Sequence, residues 1–264
     1  MTGLTRRALV AGAAASFAAS GVTAAPRSRL HDPRWRRFGS QADPDHGAWD
    51  AILARAVARG RDGVARFDYA GTGKGRVDAY VASLSAVDPA MLTAPAAFAY
   101  WVNAYNAVTI QVVLAHWPVR SIRDIGGGLF AGGPWKQKLF PVAGTNLSLD
   151  DIEHGILRPV WQDPRIHYAV NCASIGCPDL APRAYTSRRM GAMLDTAAKA
   201  YINHPRGAQM TGRALVVSSI YDWFAADFGG SPTAIIAHLA TYAPALGSST
   251  AIADYRYDWS INAP

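Results

Sequence analysis

The sequence predicts an α+β fold: a single domain with a central buried helix packed on a small, largely antiparallel sheet, with several amphipathic helices around it. Three observations lead to this class. The segment 95–116 is apolar nearly all round, so it must be buried centrally. Helical and strand-like patterns are interspersed without the regular β–α–β alternation of a parallel sheet. Apolar residues make up 50% of the 264-residue chain, ample for one core.

The elements follow from local pattern. Asp45 is a helix cap, and Ile52, Leu53 and Val57 share a face that runs to Gly60. A short strand at 65–69 leads to a helix at 75–86, where Val77, Tyr80, Val81 and Leu84 recur at helical spacing. The long helix has Pro95 in its first turn and Pro118 beyond its end. After a glycine-rich stretch (126–133), residues 138–147 read as a hairpin about Ala143-Gly144-Thr145-Asn146. Ser148 and Asp151 make a capping-box-like start to a helix over 149–158. A strand at 165–171 follows, then an amphipathic helix from Ser187, a strand at 214–218, a short helix ending at Phe228, and a helix at 232–242. The alternation Tyr255, Tyr257, Trp259, Ile261 predicts a terminal strand.

Residues 1–24 read as a twin-arginine export leader. Thr5-Arg6-Arg7 precedes an Ala-rich run too short and mild to span a membrane, and Val22-Thr23-Ala24 offers small residues for cleavage. This predicts a bacterial protein exported folded, periplasmic or secreted, with no integral membrane segment in the mature chain. A flexible Arg/Pro-rich arm over 25–44 would precede a globular domain over 45–264.

The formal net charge of +7 is concentrated in the leader and arm, which hold Arg6, Arg7, Arg27, Arg29, Arg34, Arg36 and Arg37. From Phe38 onward, basic and acidic residues nearly balance, which argues against a nucleic-acid partner. The chain contains no P-loop, no dinucleotide glycine fingerprint, no G-x-S-x-G, and no second Cys pair or H-x-x-x-H for zinc. No cofactor or metal is expected. A small molecule or a peptide is left as the class of ligand.

Three polar features are out of register with their surroundings. Asn103 and Asn106 lie on one face of the buried helix, where unpartnered amides would cost about 1–3 kcal/mol each. They either tie down loop backbone or orient a reacting group. On a regular helix over 149–158, Glu153 falls within the arc of Leu149, Ile152, Ile156 and Leu157, with His154 at its border and Asp150 and Asp151 facing outward. A core-facing carboxylate needs a partner, and an acid beside a histidine suits both a general base and a structural ion pair.

The third is Arg165-Ile-His167-Tyr-Ala-Val-Asn-Cys172-Ala-Ser-Ile-Gly-Cys177-Pro178, which holds both cysteines of the chain. On an extended strand Cys172 falls opposite His167, so a base for Cys172 would come from His154 unless the strand bulges. Gly176 permits a tight turn with inward N–H groups suited to an oxyanion. A reactive Cys172 thiol, a Cys172–Cys177 disulfide and two inert buried thiols are all compatible with this pattern.

These pieces resemble the DUF547 family of uncharacterised domains. The resemblance rests on Tyr100-Trp-Val-Asn103-Ala-Tyr-Asn106-Ala, Leu149 to Arg158, the cysteine segment, Ser219-Ile-Tyr-Asp-Trp223-Phe-Ala-Ala-Asp227-Phe228 and Tyr257-Asp-Trp-Ser-Ile-Asn262, and spans about residues 60–264. It implies that the polar features are family features of one domain. The sequence therefore supports a cysteine-dependent hydrolase or acyl transferase. Cys172 would be its nucleophile, His154 or His167 its base, and Glu153 or an Asn the orienting group. The alternative is a non-enzymatic ligand- or partner-binding domain clasped by a Cys172–Cys177 disulfide. Under the enzyme reading Asn103, Asn106, Glu153, His167 and Cys172 converge in one pocket, with Cys172 rather than Cys177 the functional thiol.

Overall fold

The computed structural model describes residues 28–30, 32–126 and 133–264. The leader and the glycine-rich residues 127–132 lie outside the described residues. The elements are α1 (Gly47–Ala56), β1 (Val57–Arg59), β2 (Ala65–Phe67), α2 (Lys74–Ser85), α3 (Ala94–His116), β3 (Phe140–Val142) and β4 (Thr145–Leu147). A π-helical segment (Asp151–Leu157) runs into α4 (Arg158–Trp161), followed by α5 (Ile166–Ala169), α6 (Met190–Ile202), β5 (Ala208–Thr211) and β6 (Ala214–Ser218). Then come α7 (Ile220–Trp223), α8 (Pro232–Tyr242) and β7 (Ala251–Arg256).

The fold is α+β, with helices predominating and, among the described residues, three small sheets. β1–β2 and β3–β4 are antiparallel pairs, and the third sheet has the order β5-β6-β7. Its β5–β6 pair is antiparallel and its β6–β7 pair parallel. The expected central helix is α3, in which residues 96–110 are all buried. It packs against α2, the π-helical segment and α6. One apolar cluster gathers around α3, and a second forms between the three-stranded sheet, α7 and α8.

Four expectations change. The first helix stops at Ala56, and Val57–Arg59 pair with β2 as a strand rather than forming its last turn before Gly60. Residues Ile166–Ala169 are helical rather than extended. Just ahead of them Asp163 accepts from the Arg165 N–H and Pro164 follows, turn-forming residues that override the apolar run. The chain becomes extended only at Val170.

The terminal strand ends at Arg256. Residues 257–262 leave the sheet and lie along the cysteine loop, through Gly176 N–H to Asp258 C=O, Ile175 N–H to Ser260 C=O and Asn262 N–H to Ala173 C=O. The alternation survives, with a loop in place of a strand as partner.

The described part of the arm is docked rather than loose. Trp35 is buried edge-on against Trp101, ring centroids 5.4 Å apart. Asp43 accepts from the backbone N–H and hydroxyl of Ser187. Among the described residues, no helix is long and apolar enough to cross a membrane.

Candidate active site

A cavity of about 490 Å³ opens at the seam between the two apolar clusters. Its polar lining includes Asp150, Glu153, His154, His167, Cys172 and Cys177, and its walls are largely aromatic. Trp135, Trp223, Tyr257 and Trp259 form one continuous aromatic side, with neighbouring ring centroids 4.6–5.7 Å apart.

The backbone around Cys172 is fixed by buried asparagines. Asn106, reaching across from α3, donates through Nδ2 to the Ala169 carbonyl (2.9 Å) and accepts from the Asn171 N–H (2.8 Å). Asn171 in turn donates to the Pro178 carbonyl and accepts from the Ala173 N–H and from Asn262. Tyr69 closes the chain by donating to Asn262 at 2.7 Å. The loop is thereby held at both ends while Ala173, directly after the cysteine, takes φ +61°, a left-handed conformation uncommon for a residue with a Cβ.

Asn103 serves a different segment, donating to the Tyr185 carbonyl and accepting from its N–H. Both helix asparagines therefore bind backbone, and neither lines the cavity. Glu153, His154, His167 and Cys172 do converge there.

The two cysteines are free thiols whose sulfurs lie 3.2 Å apart. Cys172 is half-buried and Cys177 buried. Cys172 Sγ lies 3.0 Å from the Tyr257 hydroxyl and 3.2 Å from that of Ser174. The hydrogen-bonded contact with Cys177 holds the Cys172 pKa below its ordinary value against the opposing effect of burial, and the hydroxyls of Ser174 and Tyr257 act with it. Burial, together with the neighbouring Cys172, pushes the Cys177 thiol well up. Of the two sulfurs, the accessible one is thus the easier to ionise and the buried one the harder.

Glycine at 176 is required by close approach, since a Cβ there would lie 2.7 Å from the Asp258 backbone nitrogen. The N–H groups of Ile175 and Gly176 are taken up by the C-terminal segment, and that of Cys177 by the Ser174 carbonyl. The expected backbone oxyanion donors in this turn are thus already engaged, which leaves the Tyr257 and Ser174 hydroxyls as the donors nearest the sulfur.

Behind the thiol lies an ionic cluster built on the π-helical segment. Its last turn is closed by the Arg158 N–H bonding to the Glu153 carbonyl, five residues back, a wider turn than the regular helix expected here. Asp150, Glu153 and His154 all reach the cavity as a result. Asp151, expected to face solvent, is buried. It completes the capping box with Ser148, accepts from Ser28, and pairs with Lys138.

Burial would raise the Glu153 carboxyl, but His154, His167 and Arg158 hold it down at about 2. His167 is buried with Nε2 2.7 Å from Asp227 Oδ2 and Nδ1 3.7 Å from Glu153 Oε1. Burial opposes its charge, yet the hydrogen bond to Asp227 and the nearby Glu153 carboxylate raise its pKa. Burial lowers the pKa of His154. Arg158 Nη1 lies 3.3 Å from its Nδ1, and since a guanidinium can only donate, that nitrogen accepts and the neutral ring carries its proton on Nε2. Asp150 is half-buried, and burial followed by the charge of Glu153 raises its carboxyl to about 6.

Among the described residues, no imidazole lies within hydrogen-bond distance of Cys172 Sγ, whose side-chain partners are Cys177, Ser174 and Tyr257. Asp227, Ser174 and Tyr257 were not singled out as site residues by sequence reasoning. Asp227 looks like a solvated acid in Ala225-Ala226-Asp227-Phe228. Tyr257 announced itself only as one member of an alternating aromatic run.

Residues 89–202 match the model of the family described as "Protein of unknown function, DUF547", which supports the family to which the motifs point. The match covers α3, the π-helical segment and both cysteines, while Tyr257 and Asp227 lie outside it. No curated protein and no solved structure matches the chain.

Proposed function

We propose that the protein is a thiol-dependent hydrolase or acyl transferase with Cys172 as its nucleophile. The observation that carries this reading is the hydrogen-bonding of Cys172 Sγ. Two hydroxyls and the Cys177 sulfur lie 3.0–3.2 Å from a half-buried sulfur in the wall of a cavity large enough for a small ligand.

The thiolate attacks an acyl carbon, forming a thioester and expelling the leaving group. The Tyr257 and Ser174 hydroxyls, 2.9 Å from each other, turn from the sulfur to the developing oxyanion. Asp150, a cavity carboxyl that titrates near 6, is the group suited to protonate the leaving atom and then to activate water or an acceptor nucleophile. This replaces the direct cysteine–histidine base pair expected from sequence. His167 and Glu153 serve instead as a fixed charge pair beneath the site. Export through the twin-arginine leader remains part of the proposal.

The test is to incubate fully reduced protein with an activated aryl thioester and map the acyl adduct by mass spectrometry. The expected result is one acyl group on Cys172, absent from Cys172→Ala. An unmodified Cys172 across aryl thioesters and esters would transfer the cavity to the binding-domain reading.

A further inference from the structure

We propose that Cys172 and Cys177 also form a hydroperoxide-reducing pair, with Cys172 as the attacking thiolate and Cys177 as the resolving thiol. The proposal shares the nucleophile of the preceding section but rests on a separate observation, the contact between the two sulfurs. At 3.2 Å they need close by only about 1 Å to reach the bonded distance of about 2.05 Å.

The surroundings assign each sulfur a role. Cys172 is the more exposed of the two and has hydroxyl donors at 3.0 and 3.2 Å, which can also bind a peroxide oxygen. Cys177 is buried, accepts the Cys172 N–H at 3.0 Å and sits 3.7 Å from the Val170 carbonyl. It is therefore kept as a thiol at the distance a resolving group requires. The segment between them is anchored by Asn171 through the Pro178 carbonyl and by the C-terminal chain through Ile175 and Gly176, which keeps the two sulfurs together.

The chemistry balances in two steps. The Cys172 thiolate attacks the terminal oxygen of a hydroperoxide, the O–O bond breaks, and the departing alkoxide or hydroxide takes a proton. Cys172 is oxidised to the sulfenic acid and the hydroperoxide is reduced to an alcohol or water. Cys177 then attacks the Cys172 sulfur, forming the disulfide, while the sulfenic hydroxyl leaves as water with the Cys177 proton. An external dithiol returns the two electrons by thiol–disulfide exchange. While the disulfide stands, Cys172 is unavailable for acyl transfer.

The experiment treats fully reduced protein with one equivalent of hydrogen peroxide, in the presence and absence of dimedone, and maps both cysteines by mass spectrometry. Wild type should lose two hydrogens, yield a Cys172–Cys177 linked peptide and take up no dimedone. Cys177→Ser should carry dimedone on Cys172. Dithiothreitol-driven peroxide consumption should be lost in Cys172→Ala. Wild type whose cysteines remain thiols, or whose first oxidised cysteine is Cys177, would overturn the proposal. The thioester adduct is measured on reduced protein, so either reading can fail while the other stands.

Discussion

The Tyr257 hydroxyl lies 3.0 Å from Cys172 Sγ, although 85 residues separate the two in the chain. The contact exists because residues 257–262 leave the sheet and run along the cysteine loop, bringing Tyr257 to the sulfur, Trp259 to the cavity wall and Asn262 to the asparagine chain. The thiol site thus depends on the end of the chain as much as on the segment that contains the cysteines. It also depends on α3, through Asn106.

Replacing Asn106 by Leu removes two buried hydrogen bonds and orphans the Asn171 N–H and the Ala169 carbonyl. Such groups cost about 1–3 kcal/mol each, so a loss of about 2–6 kcal/mol in denaturant unfolding is expected. Native-state alkylation of Cys177 should accelerate as the loop loosens. A change within about 0.5 kcal/mol, the range typical of surface substitutions, would show that the clamp contributes little.

The ionic cluster sets a pH window for stability. Glu153 falls from an ordinary 4.5 to about 2, so its contribution is present above about 4.5 and is lost as pH drops toward 2. His167 is raised above 6.5, so its contribution is full below that value and fades as pH rises through its folded-state pKa. Asp150, raised from 3.8 to about 6, acts in the same direction as His167. On the acid side, urea midpoints should therefore fall as pH drops below about 4.5. Glu153→Gln should flatten the acid limb and destabilise the protein by about 3 kcal/mol just above that pH, because it leaves a buried imidazolium underneutralised. An unchanged acid limb in that variant would show that Glu153 is not the titrating group.

Much of this architecture was legible in the sequence. An apolar run bounded by Pro95 and Pro118 marked α3, and the helical spacing of Val77, Tyr80, Val81 and Leu84 marked α2, each to within a residue or so. The core-facing position of Glu153 was legible even though the segment is π-helical, because the apolar residues around it fix which face is buried. Residues 165–169 were misread because a short run of β-branched and aromatic residues fits a strand and a buried helical turn equally well, and the Asp163-Pro164 turn signal decides between them. The role of Asn106 could be posed but not decided, since its partners lie 63 and 65 residues away. Asp227 and Tyr257 reach the site through tertiary contacts that leave no local periodicity.

Export is tested separately from chemistry. Replacing Arg6 and Arg7 by Lys should hold the precursor in the cytoplasm while the folded domain forms normally. Fractionation and immunoblotting of a tagged chain read the outcome directly, and unimpaired export would remove the twin-arginine assignment.

The most direct test of a preformed Cys172 thiolate is its iodoacetamide alkylation rate as a function of pH, measured peptide by peptide. The midpoint for Cys172 should lie below the ordinary thiol value of 9.0, with Cys177 reacting more slowly throughout. Tyr257→Phe, which keeps the ring and deletes the donor, should shift the Cys172 midpoint upward while leaving thermal stability nearly intact. A Cys172 midpoint at or above 9.0, or one indifferent to Tyr257→Phe, would contradict the account.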